Sequence, residues 1–141
     1  MRLTTFTDYS LRLLLYLAVA PERRATIAEV AQAYCVSEHH MVKVVHVLGK
    51  AGVLSNTRGR HGGVALAQPP VKINIGRVVR LTEGPGRVAE CFDARSNECR
   101  ISGSCRLRRA LGEAVDGFYN VLDKYTLQDL ALAPAVLAKL A

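Results

Sequence analysis

The stretch "SEHHMVKVVHVLGKAGVLSNTRGRHGGVALA" (residues 37–67) changes its period halfway. Ser37 is a good N-cap, and a helix is predicted from it to about Lys50. Met41, Val44, Val45 and Leu48 recur at i, i+3, i+4 and i+7, the spacing of a buried helical stripe. Another face carries His39, Lys43, His46 and Lys50, with Ser37 and His40 at its start, so polar donors share one side of the helix. After Gly52 the pattern shortens to two strands, Val53 to Thr57 and Val64 to Ala67, around the basic, glycine-rich tip "RGRHGG". Pro69-Pro70 ends the hairpin.

Upstream, residues 3–20 read as an apolar helix closed by Pro21. Thr26 and Glu29 form a T-x-x-E capping box opening a short second helix. Short helix, turn, amphipathic helix and basic hairpin together describe a winged helix-turn-helix. In that geometry the third helix enters the major groove of DNA, and Ser37, His39, His40 and Lys43 face it. Arg58, Arg60 and His61 at the wing tip are the expected phosphate or minor-groove contacts. Lys43 and Lys50 also suit an ordinary solvated face, and "RGRHGG" an ordinary turn. Their order on a basic segment favours DNA.

Charge agrees with that reading. The 141-residue chain carries a formal net charge of +7. Residues 1–70 hold eight basic against four acidic side chains, residues 71–110 nine against four, and residues 111–141 two against four. A basic first two thirds suits a polyanion. The longest apolar run, Leu13 to Ala20, is too short to span a bilayer and follows Asp8 and Arg12, so neither membrane span nor leader is expected. A cytoplasmic location follows, where thiols stay reduced.

A fourth helix is predicted from about Asn74 to the break "EGPG" at 83–86. Residues 1–82 are therefore the DNA-reading domain, with a wing at about 53–67. The loop 83–105 follows, and a long helix begins at Cys105. Along it Leu107, Leu111, Ala114, Phe118, Leu122 and Tyr125 recur at spacings of three and four. So long a stripe in a small domain is expected to form a self-complementary dimer seam; packing within one chain is the alternative. Thr126 and Asp129 are expected to cap a last short helix within 105–132, with a tail over 133–141. The fold class is thus mainly α with a small β-hairpin wing, a winged helix-turn-helix plus a long dimerisation helix.

Three of the four cysteines lie in "ECFDARSNECRISGSCRLR" (residues 90–108): Cys91, Cys99 and Cys105. Cys35 stands apart in the turn between the second and third helices and is read as a small core hydrophobe. No C-x-x-C is present, which counts against a zinc knuckle, and the spacing departs from the common ferredoxin patterns. Spacing alone leaves a metal or cluster site and a thiol–disulfide switch both open. No nucleophile–base motif, phosphate loop or carboxylate pair stands in a credible context, so an enzyme is not expected.

The segments "RGRHGGVALA", "MVKVVHVL", "LTEG" and the C-x7-C-x5-C loop followed by "LR" resemble the iron–sulfur winged-helix transcriptional regulators over about residues 1–130. The cysteine loop and "ECF" resemble the nitric-oxide-sensing repressor branch of that family. The resemblance implies that Cys91, Cys99 and Cys105 hold an iron–sulfur cluster, one per subunit. It points to [4Fe-4S], with [2Fe-2S] as the alternative. In that branch the fourth ligand is a carboxylate near the N-terminus of the other subunit, and the matching position is Asp8, with Arg12 orienting it. On the residues alone Asp8 is a first-turn acid favoured by the helix dipole and paired with Arg12 one turn later. The cluster-supply branch uses a histidine shortly after the third cysteine, and none follows Cys105 here.

The implied function is a nitric-oxide-sensitive repressor: a homodimer that binds a palindromic promoter site while its cluster is intact and releases it when nitric oxide nitrosylates the cluster. Rival readings are a [2Fe-2S] redox or cluster-supply sensor of the same fold, a disulfide-switched regulator, and a small iron–sulfur electron carrier.

Overall fold

The computed structural model describes residues 2–57, 59, 62–84, 88–133 and 135. Five α-helices and one hairpin appear among them: α1 (Thr5–Ala18), α2 (Ile27–Ala33), α3 (Glu38–Lys50), β1 (Leu54–Thr57), β2 (Gly63–Leu66), α4 (Ile75–Glu83) and α5 (Arg106–Leu122). Single 3-10 turns at Pro70–Lys72 and Glu90–Phe92 link the later elements.

Helix α1 starts at Thr4, whose hydroxyl accepts the Thr7 N–H at 3.2 Å. Its inner face buries Leu13, Leu14 and Leu17 against α3 and α4. Two buried hydroxyls on that helix are satisfied: Ser10 donates to the Phe6 carbonyl at 2.8 Å, and Thr7 donates to Thr82 Oγ1 at 2.8 Å. Burial of this kind is worth about 1.5–3 kcal/mol per large aliphatic side chain, and it fixes α1 across α3 and α4.

At α2 only half of the expected capping box forms. Thr26 accepts the Glu29 N–H at 3.1 Å, but the Glu29 carboxylate accepts from Tyr16 Oη and Arg23 Nη2, each at 2.6 Å. Helix α3 buries Met41, Val44, Val45 and Leu48, the four positions of its predicted stripe. It ends in a Schellman motif: Val53 N–H bonds the Leu48 carbonyl at 3.0 Å, and Gly52 takes the left-handed position with φ 72°. That turn reverses the chain into the wing. Leu54 pairs with Leu66 and Thr57 with Gly63, antiparallel. The strands stop one residue inside the predicted limits at Val53 and Ala67. The predicted tip contacts Arg58, Arg60 and His61 lie outside the described residues.

Two sequence expectations are corrected. Cys35 is exposed, not part of the core. It occupies the left-handed position of a second Schellman motif, at φ 53°, with Cys35 N–H to the Gln32 carbonyl (3.1 Å) and Val36 N–H to the Ala31 carbonyl (2.9 Å). This backbone turns the thiol outward and leaves Val36 to pack on the core. The short helix expected after Thr126 is a run of turns at 127–130. Thr126 and Asp129 do make the capping bonds, at 2.7 Å from the Thr126 N–H and hydroxyl to Asp129 Oδ2. The backbone is drawn elsewhere: Leu127 N–H donates to the Ile73 carbonyl at 2.8 Å and Ile75 N–H to the Tyr125 carbonyl at 3.0 Å. Leu127 is fully buried by this pairing.

Helix α4 is capped by Asn74, which accepts the Arg77 N–H at 3.0 Å and donates to the Asp123 carbonyl at 2.8 Å. No residue of α5 is fully buried. Phe118, Tyr119 and Leu122 pack on the edge of the core, while Leu107 is 65% exposed. A fork of two bonds, Arg80 Nη1 to Asp123 Oδ1 (2.6 Å) and Nη2 to Oδ2 (2.7 Å), joins α4 to the end of α5. It holds the Asp123 carboxyl below its ordinary range and raises the Arg80 guanidinium.

Candidate metal centre and nucleic-acid interface

The cysteine loop is ordered by short-range hydrogen bonds rather than by burial. Asp93 accepts from the Arg95 N–H (3.0 Å) and the Ser96 hydroxyl (3.0 Å). Asn97 accepts the Cys99 N–H at 3.1 Å and donates to Ser102 Oγ at 3.1 Å, an Asx turn that fixes the middle thiol's backbone. Glu90 reaches across to accept the Glu98 N–H at 2.6 Å. These polar turns are what a loop with too few apolar side chains uses to hold a shape.

Cys91, Cys99 and Cys105 are all free thiols and all half-buried. Cys105 is the N-cap of α5, its Sγ accepting the Arg108 N–H at 3.4 Å. Arg108 Nε in turn donates to the Cys91 carbonyl at 3.1 Å and its guanidinium lies 5.8 Å from the Phe92 ring centre. One arginine therefore ties the first and third cysteines of the loop together. Beside Cys105 opens a hollow of about 460 Å3 lined by Phe92, Ser102, Cys105, Arg106, Arg108 and Arg109. A helix N-terminus carries partial positive charge, and three arginines add to it, so the hollow suits an anionic group.

Asp8 sits in the first turn of α1, its carboxylate held by Arg12 through Nε (3.1 Å) and Nη2 (2.8 Å), and 45% exposed. The Arg12 guanidinium lies 5.9 Å from the Tyr9 ring and 6.0 Å from that of Tyr34. Within one chain the carboxylate is not grouped with the thiols. Among the described residues no three His, Cys, Asp or Glu side chains converge closely enough to hold a metal ion. The donor set still fits an iron–sulfur group: three soft sulfur donors on one loop, a cationic hollow beside the third of them, and a part-exposed carboxylate on α1.

Of the expected DNA-contacting residues, Ser37 at the start of α3 and His39, His40 and Lys43 on it are all exposed, as are His46 and Lys50. Ser37 makes no capping bond with its side chain. The His40 ring stands 5.8 Å from that of Tyr9 on α1 and 6.3 Å from that of His39. Three features escaped the sequence reading. Arg108 and Asn97 hold the cysteine loop, and Val42 lies half exposed (50%) on the polar face of α3. Nothing local marks an arginine as a carbonyl donor seventeen residues away. Val42, by contrast, was visible as an apolar residue off the buried stripe.

Cys35 is expected to be dispensable. Cys35→Ser keeps the left-handed turn and an exposed polar tip, so stability changes by less than about 0.5 kcal/mol and metal binding is unaltered. Thermal unfolding and iron content of the variant check this.

Comparison with known proteins completes the picture. Residues 3–133 match the family model Rrf2, described as an iron-dependent transcriptional regulator. The HTH-type transcriptional regulator NsrR of Geobacillus kaustophilus is 50% identical over 131 residues, covering 92% of this chain and 89% of that one. The crystal structure of Staphylococcus aureus CymR superposes with a TM-score of 0.72 at 27% identity, over 91% of this chain and 96% of CymR. The T. potens IscR structure gives 0.71 at 25%, over 92% and 85%. These are transcriptional regulators, not enzymes. Among the described residues no helix is long and apolar enough to cross a membrane.

Proposed function

The chain belongs to the Rrf2 family of iron-dependent transcriptional regulators and is a DNA-binding regulator of the NsrR type, and from that premise we propose that it is a cytoplasmic, nitric-oxide-sensitive repressor. It acts as a homodimer on a palindromic promoter site, with one iron–sulfur cluster per subunit. The observation that carries the reading is the loop in which Cys91, Cys99 and Cys105 stay free and half-buried, Cys105 beside a cationic hollow, with no histidine after Cys105.

In this reading residues 83–105 hold a [4Fe-4S] cluster through the three thiolates, and Asp8 of the other copy supplies the fourth ligand. Arg12 holds that carboxylate by two hydrogen bonds and limits its rotation. A cluster held there would supply iron open to a small ligand such as nitric oxide, and Asp8, a harder and weaker donor than the three sulfurs, would be the ligand most easily displaced. The remaining work belongs to the protein. The exposed half of α5, including Leu107, packs against its counterpart and places the two copies of α3 for successive major grooves. Ser37, His39, His40 and Lys43 face base edges and phosphates, with Arg58, Arg60 and His61 at the wing tip. Val42 supplies an apolar contact suited to a thymine methyl.

Lys43→Ala is expected to weaken operator binding about tenfold and to reduce the salt slope by about one, with the cluster untouched. Fluorescence anisotropy at several salt concentrations reads both numbers. The reading as a whole is tested on anaerobically purified protein by its visible spectrum and its iron and sulfide content. Promoter binding is followed alongside, before and after nitric oxide. Cluster-loaded, apo and nitric-oxide-treated forms that bind the promoter equally tightly would remove it.

A further inference from the structure

Helix α5 is fastened firmly at one end only. Its N-terminal half is exposed and is held by the cysteine loop, through Cys105 and Arg108. Its C-terminal end is gripped by α4. The Arg80–Asp123 fork closes with two short bonds, and the same guanidinium stacks 4.4 Å from the Tyr119 ring centre. Gly76 of α4 is packed so tightly against Asp123 that a Cβ there would fall 2.0 Å from Asp123 Oδ1. Beyond the helix, Asn74 Nδ2 and the backbone of residues 73–75 stitch down residues 123–127.

A 17-residue helix spans about 25 Å, so a turn of about 10° at the gripped end moves the Cys105 end by about 4 Å. Helix α4 also packs on α1, and α1 packs on α3. An ion pair this exposed adds little to stability. What a bidentate, stacked arginine contributes instead is a fixed angle between two helices.

We propose that the Arg80–Asp123 fork is the pivot through which the state of the cysteine loop reaches the recognition helix. The proposal rests on the reading of that loop as the element whose state controls DNA binding. α5 transmits the loop's position as a lever, and α4 and α1 carry the change to α3. Arg80, Asp123 and Tyr119 are positioning residues and touch neither DNA nor the thiols. Coupling of this kind is a difference between two states, so its signature is a ratio and not a loss of binding.

Asp123→Asn and Arg80→Lys test it. Operator affinity is measured for the anaerobic cluster-loaded and the apo forms of each, with visible spectra and thermal unfolding of the same samples. The expected result is an unchanged spectrum and melting temperature, with the loaded-to-apo affinity ratio reduced about tenfold from wild type. A merely structural role lowers both affinities together and leaves the ratio alone. Ratios within about twofold of wild type in both variants overturn the pivot. Equal affinities in the wild type itself remove the reading of the loop, and the pivot with it. Should Asp123→Asn fail to fold, Tyr119→Leu removes the stacking, keeps an apolar side chain at the edge of the core, and carries the same expectation at smaller size.

Discussion

Serine at Cys91, Cys99 or Cys105 is expected to abolish the cluster in each case and to lower operator affinity about 100-fold, roughly 2.7 kcal/mol. The substitution removes one atom's softness and almost no volume. A serine hydroxyl does not lose its proton at neutral pH and is a hard donor, so it cannot replace a thiolate on cluster iron. The fold should survive, because none of the three cysteines belongs to the buried core, and the loop is shaped by Asp93, Asn97 and Glu90 instead. Loss of colour with unchanged helical circular dichroism is therefore the expected pair of observations. Gel-shift titration of apo and loaded samples gives the affinity. A single serine variant that keeps the full visible spectrum would take that cysteine out of the ligand set.

The N-terminal half was legible because its information is local. Met41, Val44, Val45 and Leu48 have the period of a helix, and all four are buried in α3. Thr26 and Asn74 stand directly before the helices they cap. What the sequence hid depends on the approach of distant segments. Cys35 looked like core because free cysteine is commonly buried, yet the handedness of the α2 terminus turns it outward. Thr126 and Asp129 carry a helix-capping signature and use it, but the backbone after them is claimed by residues 73–75. Gly76 reads as an unremarked helical residue until Asp123 is seen lying against it.

The cysteine site divides along the same line. Residue types and spacing identify three thiols on a polar loop and count against a zinc knuckle, but they do not name the occupant. Resemblance to a family supplied the cluster and the role of Asp8. The structure adds what neither spacing nor resemblance contained: Arg108 joins the two ends of the loop, and α5 begins on the third thiol. Cys105 caps α5, while polar turns at Asp93, Asn97 and Glu90 shape the rest of the described loop.

Asp8→Ala separates the two roles open to that carboxylate. If Asp8 serves only its own helix, removing it costs the i,i+4 pair with Arg12. On a pair this exposed that amounts to about 0.3–0.5 kcal/mol, with no change in the visible spectrum. If Asp8 completes the cluster of the other copy, the variant holds iron through three thiolates and an open corner. Cluster loss to a chelator should then quicken at least about tenfold, and the rate of reaction with nitric oxide should change. The geometry leaves room for the second role. The carboxylate is 45% exposed, and Arg12 grips it from one side through both oxygens while Tyr9 and Tyr34 flank the guanidinium. Arg12 is thereby fixed to its own helix, so the carboxylate is presented at a defined angle even before a second chain meets it. Stopped-flow spectra of wild type and variant against nitric oxide, beside chelator-challenge rates, give the answer. Identical rates and spectra in the two proteins remove Asp8 from the ligand set and leave the fourth position of the cluster to solvent or to another residue.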